Sequence, residues 1–278
     1  MAIYHLSAKI LSRQRGHSAV AAAAYRAGES LVEDSTGITF DYTRKQGIEH
    51  REILAPEGAP DWVHDRLKLW NPVEAAEKRR DAQLAREIEI GLPVEFDPTQ
   101  QLALLRDYGQ HQFVSQGMIA DVAIHRDNPE NPHAHVLLTT RTITADGFGA
   151  KERSWNERAK LLAWRAGWAE TANLYFARAG LALRIDHRTL KAQGLDFEPG
   201  RKIGVGLERQ ASPELPLRIG ERVAEQSRIA EENGERILAD PTIALRAITY
   251  SQATFTEHDL AKFLHTRTHT KHSPALEE

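Results

Sequence analysis

The chain predicts an α+β fold: a central antiparallel sheet flanked by helices. Three stretches carry that expectation. The first is a hairpin, in which GMIADVAI and VLLTTRTIT flank His125–His135, HRDNPENPHAH. Both flanks are rich in β-branched and aliphatic residues, as strands are. Between them, Arg126 to Pro132 has Asp, Asn, two prolines and no apolar run, which reads as a tight loop. The second is REIEIGL at Arg86–Leu92, which alternates strictly: Ile88, Ile90 and Leu92 on one face, Glu87 and Glu89 on the other. The third is AVAAAAYRAG, a helix with Ser18 as N-cap and Gly28 as its stop.

Taken in order, Ala2 to Ile10 is a strand candidate, followed by the basic loop SRQRG. The helix after Ser18 carries four consecutive alanines, Ala21 to Ala24, and then Tyr25. Alanines let other backbones approach closely, and the tyrosine is the one large group there. Thr39 to Thr43 and Glu52 to Leu54 read as short strands, with the basic pair Arg44 and Lys45 between them. Trp62 to Arg80 reads as a helix interrupted at Asn71-Pro72. Pro98 to Ser115 is helical, and a long helix is expected from Glu157 to Ala179. Its Trp164, Trp168 and Tyr175 read as core packing. LALRIDHR reads as another strand and GLDFEPGRKIG as a loop, and from Ala211 the chain is polar and helical. No fixed-period repeat is visible.

The 278 residues fit one large domain, or one domain plus an extension. A hydrophobic fraction of 41% is enough for a core, and no stretch approaches a membrane span. The N-terminus lacks a charged region followed by an apolar one, so no secretory signal is expected and a cytoplasmic protein fits. Cysteine is absent, which excludes disulfides and thiolate metal sites. A net charge of -3 argues against a protein that coats nucleic acid nonspecifically, though not against a local basic groove. Lys151 to Lys191 is basic by count, whereas Glu214 to Asp240 leans acidic.

Residues two apart on a strand share a face, so His133 and His135 are neighbours there. On a helix they would diverge by roughly 200°. His125 ends the first strand of the hairpin beside His133. Three imidazoles can thus converge on a metal and leave positions open for substrate or water. Asp121, on the same face as His125, is placed to receive a ring N–H and fix a tautomer.

The stretches MAIYHLSAKILSRQRGHSAVAAAAYRAG, LWNPVEAAEKRRDAQLAREIEIGLP, GMIADVAIHRDNPENPHAHVLLTTR and IDHRTLKAQGLDFEPG together resemble the MobA/MobL, or MobQ-type, conjugative relaxases of the HUH endonuclease superfamily. The resemblance spans roughly the first 200 residues. It implies a five-stranded antiparallel sheet, with a relaxase domain over 1–205 and, over 206–278, a mostly helical extension or the start of a further module. It places a catalytic tyrosine at Tyr25, metal-binding histidines at His125, His133 and His135, and the family's glutamate at Glu87, with Glu89 less securely matched. The implied activity is site-specific nicking of single-stranded DNA at an origin of transfer, hairpin plus nick site. Tyrosine attack would leave a 5′-phosphotyrosine and a free 3′-hydroxyl. Relaxosome accessory proteins and a coupling protein are the implied partners.

The residue types suit that chemistry. Tyrosine has an ordinary pKa near ~10, so either a nearby metal would stabilise the phenolate or Glu87 would take the proton as general base; the Glu87 charge alone would disfavour the phenolate. A divalent ion, Mg2+ or Mn2+, is the expected cofactor. Arg13, Arg15, Arg44, Lys45, Lys151 and Arg153 are candidate contacts to the DNA backbone. A rolling-circle replication initiator would use the same chemistry. A DNA-binding accessory protein would lack it, and a metal-dependent hydrolase of small molecules would need neither the tyrosine nor the basic segments. TFTEHDLAKFLHTRT resembles the region that follows the relaxase domain in longer relaxase-helicase proteins, but no GxxxxGK[ST] motif is present.

Overall fold

The computed structural model describes residues 4–144, 147–200 and 215–268. Its elements are β1 (Leu6–Ser12), α1 (Ala19–Ala27), β2 (Ser30–Val32), β3 (Thr39–Asp41), β4 (Ile48–Leu54), α2 (Arg66–Ala76), β5 (Gln83–Gly91), α3 (Pro98–Gln112), β6 (Ala120–His125), β7 (His133–Leu138), β8 (Arg141–Thr144), β9 (Gly147–Lys151), α4 (Arg158–Arg178), α5 (Leu215–Ala239), α6 (Thr242–Ser251) and α7 (Glu257–Arg267). Ala2 and Ile3 of the expected first strand, 201–204 of the expected loop and 211–214 of the helical tail lie outside the described residues.

Five strands form one sheet in the order β1-β5-β7-β6-β4, and every neighbouring pair is antiparallel. This is the expected α+β fold with a five-stranded antiparallel sheet. The alternation in β5 decides the two faces. Ile88 and Ile90 are fully buried, as are Val122 and Val136 beside them. Arg86 shares this face, and its guanidinium lies over the ring of Trp164. Tyr108 and Phe113, at and after the end of α3, pack edge to face on Trp168 and Trp164. Burying each of these side chains contributes about 1.5–3 kcal/mol. The tryptophans are therefore core, as their helical spacing indicated.

The other face carries Glu87, Glu89, His133, His135, Asp121 and His125. It is covered at one end by α1 and α2, where Ala19, Val20, Ala23, Ala24, Leu69 and Trp70 pack with Leu11, Ala85 and Leu137. The small alanines bring α1 close to the sheet.

Three local expectations are corrected. α2 runs through Pro72 without interruption. An internal proline costs ~3 kcal/mol, but Leu69, Trp70 and Val73 around it are buried. Asn71 adds side-chain bonds to the Asp34 amide and the Val32 carbonyl. VLLTTRTIT divides at Thr139-Thr140: β7 stays in the main sheet, and β8 leaves it to pair with β9. LALRIDHR forms only one isolated bridge, Leu183 to Gln252, closed by the Arg184 amide on the Ser251 carbonyl and the Ala253 amide on the Ala182 carbonyl, because the segment facing it is the short link between α6 and α7.

The chain divides into two compact units, one running through Tyr175 and the other starting at Phe176. Leu195 and Phe197, on the N-terminal side of the expected 205/206 boundary, pack in the second unit with Ile237, Ile248, Phe263 and Leu264. That unit is built on α5, α6 and α7. No helix among the described residues is long and apolar enough to cross a membrane.

Candidate active site

The tyrosine helix is held at both ends. Ser18 caps it by accepting from the Ala21 amide at 3.0 Å. The buried Glu74 accepts from the Ala19 amide at 2.5 Å. At the far end Gly28 takes a left-handed φ of 62°, and Arg51 donates to the Ala27 carbonyl at 2.8 Å. On this fixed helix Tyr25 is 39% exposed. Its ring meets Tyr42 edge to face at 5.2 Å.

The histidine hairpin forms as its pattern indicated. His125 pairs with His133, and Ala123 with His135. The ring centroids lie 4.7 to 5.5 Å apart, and one nitrogen from each ring falls within 4.8 Å of the other two. Each ring has its other nitrogen engaged by an oxygen: His125 Nε2 by the Arg26 carbonyl at 2.8 Å, His133 Nδ1 by the Asn131 carbonyl at 3.0 Å, and His135 Nδ1 by Glu87 Oε1 at 2.8 Å. These acceptors require N–H on the engaged nitrogen. This turns the lone pairs of His125 Nδ1, His133 Nε2 and His135 Nε2 toward one another, the tautomers a metal ion needs, although Lys45 Nζ stands 3.4 Å from His125 Nδ1. Burial holds His125 at about 4 and lowers His135 as well, so both are neutral donors near neutral pH.

Glu87 is a carboxylate at the centre of this arrangement. It is buried, and Arg26 grips it with Nε at 3.0 Å and a second nitrogen at 2.7 Å. Burial alone would raise its pKa. Hydrogen bonds from His135 and Arg26 overcome that and hold it at about 2. Glu87 and Tyr25 line one open cavity of about 330 Å³ with Lys9, His17 and Arg26. Glu89 lies across from His135 in register and accepts from His5 and Lys9, both at 3.2 Å. The His5 bond holds it below the usual carboxylate range.

Asp121 does not take the part expected of it. Its carboxylate receives Arg66 at 2.8 Å and the Trp70 indole at 2.9 Å, not an imidazole. Asp121 sits deep under α2, whereas Glu87, on the far side of β7, faces His135. Two basic candidates are also structural. Arg13 is bound by Glu74, and Lys151 by Glu77 at 3.1 Å and the Gln83 carbonyl. Buried carboxylates on and just after α2 claim them. Arg15, Arg44 and Arg153 are exposed. Lys45 is half-buried: its ammonium lies 3.8 Å from the centre of the Tyr25 ring, donates to the Tyr25 carbonyl at 3.2 Å, and is 3.4 Å from His125 Nδ1. Burial, then Arg26, lowers its pKa to about 8. Arg26 had not been singled out. Only its place one residue after the tyrosine, on the helix flank facing β5, marked it.

A five-stranded antiparallel sheet with three imidazoles on one face, beside a helix-borne tyrosine, is the arrangement the sequence resemblance implies. The family model described as "MobA/MobL family" matches residues 17–212, and the chain belongs to that family. It is 38% identical to the conjugal transfer protein TraA of Agrobacterium fabrum over 95% of this chain and 27% of TraA. It is 37% identical to the mobilization protein MobL of Acidithiobacillus ferridurans over 86% of this chain and 72% of MobL. The chain thus spans about a quarter of the TraA proteins it matches. A solved Staphylococcus aureus structure, described as the molecular basis of vancomycin resistance transfer, matches with a TM-score of 0.64. It is 35% identical over 68% of this chain and 100% of that one.

Proposed function

We propose that this chain carries the nicking activity of a conjugative relaxase, cutting one DNA strand at an origin of transfer and rejoining it. The observation that supports this most is the placement of Tyr25 on a pinned helix whose next residue, Arg26, binds both His125 and Glu87.

In this reading the Tyr25 hydroxyl oxygen attacks phosphorus and the bond to the 3′ oxygen breaks. The phenol proton is lost and the departing 3′ oxygen gains one. The products are a 5′-phosphotyrosine and a 3′-hydroxyl, and the exchange of one ester for another is reversible. The three converging lone pairs fit a divalent ion. Imidazole nitrogen suits Mn2+, whereas Mg2+ would lean on oxygens from substrate and water. Such an ion, when bound, supplies positive charge at a non-bridging phosphate oxygen. Glu87 and the Arg26 and Asn131 carbonyls keep the three rings in one tautomer. Glu87 thereby takes the supporting role expected of Asp121, in place of the general base expected from the sequence. Tyr25, half-exposed, is open to an approaching strand. Single-stranded origin DNA is the substrate, and accessory and coupling proteins are the partners, by the likeness to conjugal transfer and mobilization proteins.

The test is incubation with single-stranded origin oligonucleotides and Mn2+ or Mg2+, followed by a denaturing gel. A covalent adduct is expected from the native chain and none from Tyr25→Phe. Adduct of native yield from the Phe variant would assign the nucleophile elsewhere.

A further inference from the structure

Lys45 sits where two parts of the site meet. The loop from Tyr42 to Gly47 is tied down at both ends. The Tyr42 amide donates to the Glu29 carbonyl just past α1. The Gly47 carbonyl accepts from the Arg126 amide in the histidine hairpin at 2.7 Å. Gly47 has a φ of 79°, and a Cβ there would lie 2.8 Å from the Asp127 backbone, so only glycine lets the loop close on the hairpin. The Lys45 ammonium is thereby held against the Tyr25 ring and the Tyr25 carbonyl, and 3.4 Å from His125 Nδ1.

That last contact conflicts with metal binding. His125 Nε2 is spent on the Arg26 carbonyl, so Nδ1 is the one nitrogen His125 can offer an ion. The same lone pair receives the Lys45 ammonium. A nitrogen lone pair serves one partner at a time, and two cations repel at such a distance. An ion at the triad and the Lys45–His125 contact are therefore mutually exclusive. A displaced ammonium would still be tethered beside the nucleophile, on a stem long enough to turn toward an anion there. Of the groups around it, Arg26 repels it, while Asp127 and Glu87 attract it.

We propose that Lys45 is a phosphate-holding residue with two positions: on His125 when the triad is empty, and on a non-bridging oxygen of the DNA phosphodiester when an ion is bound. The DNA half of this rests on the nicking function proposed above; the competition with metal does not.

Two measurements test it. In the first, Mn2+ is titrated calorimetrically into the native chain and into Lys45→Met, without DNA. Removing one net hydrogen bond to the ligand nitrogen should tighten Mn2+ binding about fivefold. Equal or weaker binding overturns the competition. Lys45→Gln serves as a second neutral variant, and thermal unfolding verifies that each is folded. In the second, oligonucleotide affinity is measured against salt in a Tyr25→Phe background, where nothing is cleaved. With Mn2+, Lys45→Met should lower the slope of log affinity on log salt by about 1, the loss of one phosphate contact. With chelator the slope should not change, and Lys45→Arg should restore it with Mn2+. The same loss in both conditions would make Lys45 a fixed contact and overturn the two-position reading. If the native chain forms no adduct, the nicking function falls, while the Mn2+ titration still decides the competition.

Discussion

Glu87→Gln separates two roles for this carboxylate that the structure weights very differently. Glu87 is 5% exposed, and its pKa drops from 4.5 to about 2. A phenol near ~10 giving its proton to such a group faces a gap of about 8 pH units, or ~11 kcal/mol. A carboxylate so well satisfied is a poor base and a good anchor for His135. Replacing it should cost about 3 kcal/mol of stability, the drop converted at 1.36 kcal/mol per pH unit. The sign follows from the depressed value. That stability is complete above about 4.5 and is lost as pH falls toward 2, so the native-minus-variant difference in urea unfolding should be full at pH 7 and roughly halved at pH 3. Mn2+ affinity should fall about 10–100-fold, as when an oxygen partner of a metal-binding histidine is lost. Adduct formation should recover at saturating Mn2+. The opposite pattern would refute this reasoning: unchanged Mn2+ affinity, with a rate lowered about 10²–10⁴-fold at saturating metal and rescued as pH rises.

His133→Ala should weaken Mn2+ binding in a calorimetric titration while leaving oligonucleotide affinity in chelator unchanged; native Mn2+ affinity would sink the triad. Asp121→Ala leaves the buried Arg66 only Glu29, at 2.9 Å, and the Trp70 indole without its acceptor; it should lower stability by about 1–3 kcal/mol in a denaturant titration, with Mn2+ affinity of the folded protein unaltered. A fall in Mn2+ affinity would return Asp121 to the metal site. Metal-free protein should also lose stability between about pH 6.5 and 4. Burial depresses the His125 value to about 4, so its contribution is complete above 6.5 and is lost as pH falls. His125→Asn should flatten that part of a pH series of thermal melts, and an unchanged slope would assign the loss to other groups.

The histidine cluster and the bounds of α1 were legible because their signals are local, whereas the part given to Tyr25 came from the family resemblance. His133 and His135 share a face by strand period alone, and Ser18 and Gly28 bound α1 as any N-cap and stop residue would. Glu87 and Glu89 separated from Ile88 and Ile90 for the same reason. What the chain did not disclose depends on partners far along it. Arg13 and Lys151 looked like free cations because Glu74 and Glu77, which claim them, stand about sixty to seventy-five residues away, on and just after a helix whose register could not be read past Asn71-Pro72. Asp121 and Glu87 both face the histidine side of the sheet. Only the order β5-β7-β6, with α2 lying over Asp121, decides which of them meets an imidazole. Two of the three histidine acceptors are main-chain carbonyls, at Arg26 and Asn131, which carry no mark in the side-chain sequence.

The double anchoring of α1 bears on which changes this segment can accept over time. Between Ser18 and Gly28 every residue advances the helix by about 1.5 Å and turns it by about 100°. One inserted or deleted residue before Tyr25 would carry the phenol out of the cavity and pull the Arg26 carbonyl away from His125. Substitutions among the alanines cost packing and can be absorbed; a change of length cannot. The turn from Ser35 to Ile38, beyond the Asp34 amide that Asn71 holds, is the opposite case. Its residues are exposed, and Gly37 has open space around it. Related chains should therefore vary freely in length between β2 and β3 while keeping a constant count of residues from the Ser18 cap to the tyrosine.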